Sequence, residues 1–349
     1  MNLNCGLSLN HSEKILLAHG GGGKLMQQFI RGVIRKHFVS SYLANEHDAA
    51  VLPIETGAIA FTTDTYVVRP LFFPGGDIGK LAVFGTINDL AMVGAIPQYL
   101  SVGMILEEGF SIETVNCVVD SIQKATIECG VEVVTGDTKV VERGKGDGIF
   151  LNTAGVGIIK HRLAIEPASL VEGDALIVSG DLGRHGIAVM AAREGLEFET
   201  TIQSDCAPLA AMVQDLLKYG IHLHCLRDLT RGGLASALNE IAISAQCSIV
   251  VEEERIPIQS EVRGACEMLG IDPLYIANEG RMIAFVPQAQ ALRAAEVMQK
   301  HEVGRGASWI GKVVGTDIKG SNGHVAIKSR VGILRTLDFL SGDQLPRIC

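Results

Sequence analysis

Between residues 58 and 159 the chain alternates strand-length apolar runs with two helix-length periodic segments, and this alternation decides the fold class. Ala58 to Thr63 reads as a strand ending in Thr62-Thr63-Asp64. Residues 78–95 have helical spacing, with Ile78, Leu81, Ala82, Phe84, Leu90 and Val93 apolar and Asn88-Asp89 interrupting them. Tyr99 to Leu106 is a strand, 112–129 an amphipathic helix opened by Ser111 as N-cap, and Val131 to Val134 a strand that stops at Thr135-Gly136-Asp137-Thr138-Lys139. Ile149 to Ile159 is another strand. The second half repeats the mixture, with strands at 175–179, 248–252 and 282–286 and helices at 187–193, 208–219, 233–245 and 289–301. The expected class is α+β.

A chain of 349 residues is long for one domain. Pro167 and Gly173-Asp174 interrupt the periodic segments, so a boundary falls near 160–173. The expected layout is an N-terminal arm with a glycine-rich loop (1–40), an N-terminal α+β domain (41–165), a C-terminal α+β domain (166–338) and a flexible tail (339–349). Leu25 to Phe38 has helical spacing after the loop.

The formal charge of −9 gives no long-range attraction to nucleic acid or an anionic membrane. A polyphosphate ligand would need backbone N–H groups, a few cations and a divalent metal. The eight cysteines form no C-x-x-C pair, which argues against structural zinc. No apolar run approaches the ~20 residues of a membrane span, and the N-terminus lacks the features of a signal peptide. The expected compartment is the cytoplasm.

Five constellations could carry chemistry. Gly20, Gly21, Gly22 and Gly23, between His19 and Lys24, could wrap a phosphate with backbone N–H groups or simply form a hinge. They match neither a P-loop nor a dinucleotide fingerprint. Asp48, Asp64, Asp89, Asp137 and Asp228 sit at element ends and together suit Mg²⁺, although each alone reads as a turn former or cap. Lys139 could polarise a substrate or be a surface lysine, and Glu279, in Asn278-Glu279-Gly280, could be a general base or part of a turn. Cys349 could deliver its sulfur into a pocket or be incidental; ten residues of tail span at most ~33–36 Å.

In order along the chain stand the His19–Lys24 loop, Thr62-Thr63-Asp64-Thr65-Tyr66-Val67-Val68, Pro70-Leu71-Phe72-Phe73-Pro74-Gly75-Gly76, Asn88-Asp89-Leu90-Ala91, the stretch 135–141, Asp228-Leu229-Thr230-Arg231-Gly232-Gly233, Asn278-Glu279-Gly280 and the terminal Pro346-Arg347-Ile348-Cys349. Over essentially the whole chain this series resembles the HypE family of hydrogenase maturation factors. It also resembles the wider superfamily of aminoimidazole ribonucleotide synthetase, selenophosphate synthetase and thiamine monophosphate kinase. The resemblance implies two α/β-sandwich-type domains, the N-terminal sheet pairing across a homodimer into a barrel-like interface. It implies ATP and Mg²⁺ held by Gly20 to Gly23, Asp64, Asn88, Asp89, Thr135 and Asp137, with Asp48 and Asp228 completing the aspartate set. It implies that a HypF-type carbamoyltransferase loads Cys349 and that the S-carboxamide is then dehydrated to a thiocyanate, with Glu279 as base and Lys139 orienting the group. A HypC–HypD complex would accept the cyanide for nickel-iron hydrogenase. The alternatives are a superfamily enzyme with a diffusible substrate, a small-molecule kinase or cyclase, and a non-enzymatic nucleotide-binding scaffold.

Overall fold

The computed structural model describes residues 14–16, 29–34, 36–37, 58–196, 202–316 and 323–338. The first half is built on a four-stranded sheet. Its strands are β1 (Ala58–Tyr66), β2 (Ile96–Glu107), β3 (Glu132–Val141) and β4 (Ile149–Ile159), in spatial order β1-β4-β2-β3. β4 lies antiparallel between β1 and β2, whereas β2 and β3 are parallel. The parallel pair requires a crossover, which α2 (Ile112–Cys129) provides. Ser111 caps it by accepting the Thr114 N–H at 3.4 Å, and Gly130 ends it in the left-handed conformation at φ 66°. Val115, Val118, Val119, Ile122 and Ala125 form its buried stripe.

Helix α1 (Ile78–Met92) has no polar stripe: nearly every residue from Ile78 to Met92 is buried. A helix that is apolar all round must be enclosed, and α1 packs on β1, β4, α2 and elements of the second half. Burying side chains such as Leu81, Phe84 and Ile87 contributes ~1.5–3 kcal/mol each. The two polar residues at its centre, Asn88 and Asp89, are therefore placed at the seam between the halves.

Strand β3 runs through Gly136, Asp137 and Lys139 to Val141, beyond the stop expected at residue 135. The reason is local. A Cβ at position 136 would lie 2.5 Å from the Val102 carbonyl, so glycine there lets β3 hug β2 where the register shifts between Leu100 and Ser101. Of the segment expected to be helical from residue 25, the structure describes a π turn over Ile30–Ile34 and a buried Phe29. Lys14 bridges to Ser111, and Ile15 is fully buried.

The second half carries a seven-stranded sheet. It comprises β5 (Ala175–Val178), β6 (Cys225–Asp228), β7 (Cys247–Glu252), β8 (Met282–Val286), β9 (Ser308–Thr316), β10 (His324–Lys328) and β11 (Leu334–Thr336), in order β11-β10-β7-β9-β5-β8-β6. Helices α3 (Arg184–Glu194), α4 (Ala210–Lys218), α5 (Gly233–Ala245), α6 (Ser260–Leu269) and α7 (Ala291–Met298) accompany it. Strands β5 and β8 are buried on both faces, consistent with their unbroken apolar runs. Mixed α and β elements in two sheet-centred layers match the α+β expectation.

One face of the first sheet packs on α1 and α2. The other face is uncovered among the described residues and carries Ile59, Phe61 and Ile105, with Phe61 68 % exposed.

Candidate functional site

Four carboxylates from distant points of the chain converge at the seam. Asp64 lies near the end of β1, Asp89 in α1, Asp228 at the end of β6, and Glu279 in the turn before β8. With Thr65, Tyr66, Gly85, Thr230 and Arg231 they line a cavity of about 60 Å³. That volume admits a cation and a few waters but not a nucleotide, so only the reacting end of a polyphosphate would enter.

The fold builds the convergence step by step. Thr62 on β1 donates to Asp89 Oδ2 at 2.9 Å, tying strand to helix. Gly85, one turn before Asp89, makes room for Tyr66, whose hydroxyl a Cβ at position 85 would strike. Gly232 and Gly233 have φ of 76° and 59°, and a Cβ at 233 would meet the carbonyls of Leu274 and Ile276 at 2.6 Å. Only glycine there lets the loop of Thr230 and Arg231 pass so close to the turn that leads to Glu279.

The electrostatics are unfavourable without a cation. Burial first, then the charges of Asp89 and Asp64, raise the pKa of Asp228 to about 7 against the opposing pull of Arg227. Burial also raises Asp89, offset in part by the Thr62 hydroxyl. Glu279 is pushed well up, first by burial, then by Asp228, Asp205, Asp64 and Asp89. Its Oε1 is buried with no hydrogen-bond partner. Such a group of buried, mutually repelling oxygens is what a hard divalent cation relieves. Among the described residues no three His, Cys, Asp or Glu side chains are close enough to cage a metal by themselves. The fit is therefore to Mg²⁺, which shares its coordination with phosphate and water.

A pH dependence follows. Asp228 binds its proton more tightly in the folded state than an unfolded aspartate does. The folded state then holds the extra proton from the ordinary carboxylate range up to about 7, so metal-free stability falls as pH rises through that window. We expect melting temperature to fall over this range without Mg²⁺, Mg²⁺ to restore most of the loss at the upper end, and Asp228→Asn to flatten the slope. A slope unchanged in that variant would remove Asp228 as its source.

The other residues singled out in the sequence go elsewhere. Asp137 and Lys139 pair with each other at 2.8–2.9 Å, both 63 % exposed, and the Lys139 hydrogen bond is the first cause of a lowered Asp137 proton affinity. In register they align with Gly103 and Ile105 on the uncovered sheet face, as Thr135 does with Ser101. Asp137 shares a row with Gly103, Asn152 and Thr65. Three strand spacings, ~14 Å, separate its strand from β1, and Asp64 points to the opposite, helix-covered face with Thr62. Within one chain Thr135, Asp137 and Lys139 therefore do not join the four carboxylates. Asn88 is turned toward backbone groups of the second half. Gly20 to Gly23, Asp48 and Cys349 lie outside the described residues. Tyr66, Gly85, Thr230 and Arg231 were not singled out as site residues. Tyr66, Thr230 and Arg231 stand in motifs quoted for their resemblance, and nothing in a lone helical glycine marks a cavity wall.

Residues 46–159 match the N-terminal domain of AIR synthase related proteins, and residues 171–321 match the C-terminal domain. Carbamoyl dehydratase HypE of Rhizobium leguminosarum bv. viciae is 47% identical over 337 residues, which is 96% of this chain and 95% of the relative. The chain belongs to the HypE family of hydrogenase-maturation carbamoyl dehydratases. HypE of Escherichia coli (strain K12) is 43% identical over 342 residues, 97% of this chain and 100% of that protein. A crystal structure of HypE in complex with ATP superposes with a TM-score of 0.91 at 44% identity, covering 96% of this chain and 99% of that one. The HypE chain of a HypE–HypF complex gives 0.78 at 42%, covering 91% and 100%. Thiamine monophosphate kinase from Aquifex aeolicus, at 17% identity, a TM-score of 0.58, and coverage of 81% and 89%, shares the fold with HypE. No described helix is long and apolar enough to cross a membrane.

Proposed function

We propose that this HypE-family chain uses ATP to dehydrate an S-carbamoyl group carried on its own Cys349, giving a thiocyanate whose cyanide goes to the iron of a nickel-iron hydrogenase. The observation that carries the reading is Glu279: a buried carboxylate with an unpartnered oxygen, facing a cavity lined by three aspartates. It lies in a chain 44% identical to one solved with ATP.

The chemistry asks for those parts. The carboxamide oxygen is a poor leaving group, so it attacks the γ-phosphorus of ATP, ADP leaves, and one N–H proton is lost. The C–O bond then breaks, phosphate departs with the bonding pair, the second N–H proton is removed, and the nitrile remains. The sum is carboxamide plus ATP to thiocyanate, ADP and phosphate. Glu279 takes a proton from the amide nitrogen, and burial with neighbouring charges makes it a stronger base than an exposed carboxylate. Asp64, Asp89 and Asp228 would hold Mg²⁺, which offsets charge on the phosphates. Gly20 to Gly23 with Lys24 would wrap the phosphates, and Asp48 would join the aspartates. Water must be kept from the activated imidate, which would otherwise return to carboxamide.

Lys139 enters this scheme through a homodimer. The uncovered face with Ile59, Phe61 and Ile105 supports face-to-face pairing of the two first-half sheets, and a two-fold interface would carry Lys139 of the partner subunit, with Thr135 and Asp137, toward the site. Phe61→Asp is expected to give a monomer by light scattering and to lose dehydration. Mixing Glu279→Gln with Lys139→Ala protein is expected to restore activity in about a quarter of sites, because hetero-dimers hold one intact site. Full activity of Lys139→Ala alone would place Lys139 outside the reaction, and no restoration after subunit exchange would overturn its action across the dimer.

The HypF-type carbamoyltransferase as donor is supported by likeness to the chain solved with HypF. A HypC–HypD complex as acceptor and a cytoplasmic location complete the proposal.

A further inference from the structure

Asn88 precedes Asp89 on α1 and is 2 % exposed. On a helix, adjacent residues point ~100° apart, and the two side chains serve different partners. Asp89 meets Thr62 of the first half. Asn88 Nδ2 donates to the Ala207 carbonyl at 3.1 Å and to the Glu279 carbonyl at 3.3 Å, while Oδ1 accepts the Leu209 N–H at 2.8 Å. Both amide donor hydrogens are thus engaged with backbone of the second half.

The same loop is gripped from behind. The Glu279 N–H donates to Asp205 Oδ1 at 3.4 Å, and the Glu279 carbonyl also accepts the Ala207 N–H at 3.4 Å. A Cβ at Gly280 would strike the Asp205 carbonyl. Arg281 donates to the Gly280 carbonyl at 2.9 Å and to Asp181 Oδ1 at 2.6 Å. These bonds hold the loop to the second half, and Asn88 hydrogen-bonds it to α1.

We propose that Asn88 is a positioning residue for dehydration. By holding the Glu279 carbonyl it sets where the Glu279 carboxylate stands relative to Asp89, and so relative to the group being dehydrated. This rests on Glu279 being the base. Gln214 supplies the comparison. Its Nε2 also bridges the halves, donating to the carbonyls of Gly94 and Ala95 at 3.0 and 3.1 Å beyond the end of α1, but it touches no site residue.

The test is single-turnover dehydration of carbamoyl-loaded full-length protein at saturating ATP, with nucleotide affinity and melting temperature measured in parallel. Asn88→Ala and Asn88→Asp are expected to be slowed ~10²-fold, the scale of an ångström-level misplacement, with nucleotide affinity unchanged. Asn88→Asp keeps the volume and the Leu209 bond but cannot donate to the two carbonyls, so it reads the proposal if the alanine variant does not fold. Gln214→Ala is expected to lower melting temperature and leave the rate unchanged. Slowing no greater than in Gln214→Ala would reduce Asn88 to structural glue. Weakened nucleotide binding that accounts for the slowing would make Asn88 a nucleotide contact instead. Normal dehydration by Glu279→Gln would remove the base, a failure separate from either Asn88 outcome.

Discussion

Replacing Glu279 by Gln should leave carbamoyl loading of Cys349 intact and slow dehydration by ~10²–10⁴-fold, the range a positioned general base supplies. In the proposed scheme loading is performed by another enzyme and does not use the cavity, so it is spared. Dehydration needs two protons removed from one nitrogen, and Gln fills the same space without accepting a proton. The substitution should also raise, not lower, the stability of the metal-free protein, because it removes a buried carboxylate surrounded by Asp228, Asp205, Asp64 and Asp89. Loss of activity with retained or increased melting temperature therefore separates a chemical role from a structural one. Thiocyanate formation at the normal rate would take Glu279 out of the reaction.

The second large effect is at Cys349. Cys349→Ala is expected to abolish both loading and product while leaving ATP affinity unchanged, since no nucleotide contact is assigned to the thiol. Cys225, Cys247 and Cys266 do not offer a substitute: they are buried, with burial lifting their thiols to about 12, 11 and 11, so little nucleophilic thiolate exists at neutral pH, whereas Cys117 is exposed and lies on α2. Cys206 is pushed up further by burial and by Glu279 and Asp205. An alanine variant that still consumed ATP in a carbamoyl-dependent manner would favour a diffusible substrate. ATP binding without carbamoyl-dependent turnover in the unaltered protein would favour a scaffold.

Much of this was legible from residue pattern. The helix at 112–129 was read with its observed bounds, and Ser111 caps it as expected. The strands at 149–159 and 282–286 and the helix at 233–245 were read with their observed bounds. At Gly136 the reading failed: the glycine looked like a stop and is a point of close approach to Val102. β9, with Gly311 inside it and two register shifts, was not recognised at all.

The site was half legible for a related reason. Asp64, Asp89 and Asp228, read as acidic residues at element ends, and Glu279, read as a carboxylate at a glycine turn, come together around one cavity. The same rule grouped Asp137 with them, and within one chain it lies apart, because sequence position does not reveal which face of a sheet a residue occupies. Asp64 and Asp137 lie near one row yet point to opposite sides. Asn88 was grouped with Asp89 by adjacency, whereas helical geometry sends the two to different halves.

The central claim is that the sulfur of Cys349 carries the group that Mg-ATP dehydrates. The most direct measurement is the intact mass of the peptide containing Cys349 after incubation with a HypF-type carbamoyltransferase, carbamoyl phosphate and Mg-ATP. The account predicts a carbamoyl adduct on that peptide that then loses the mass of one water, with one ATP consumed per loss. A carbamoyl adduct that persists while ATP is bound, or a cyanated product whose mass lies on a peptide lacking Cys349, would contradict it.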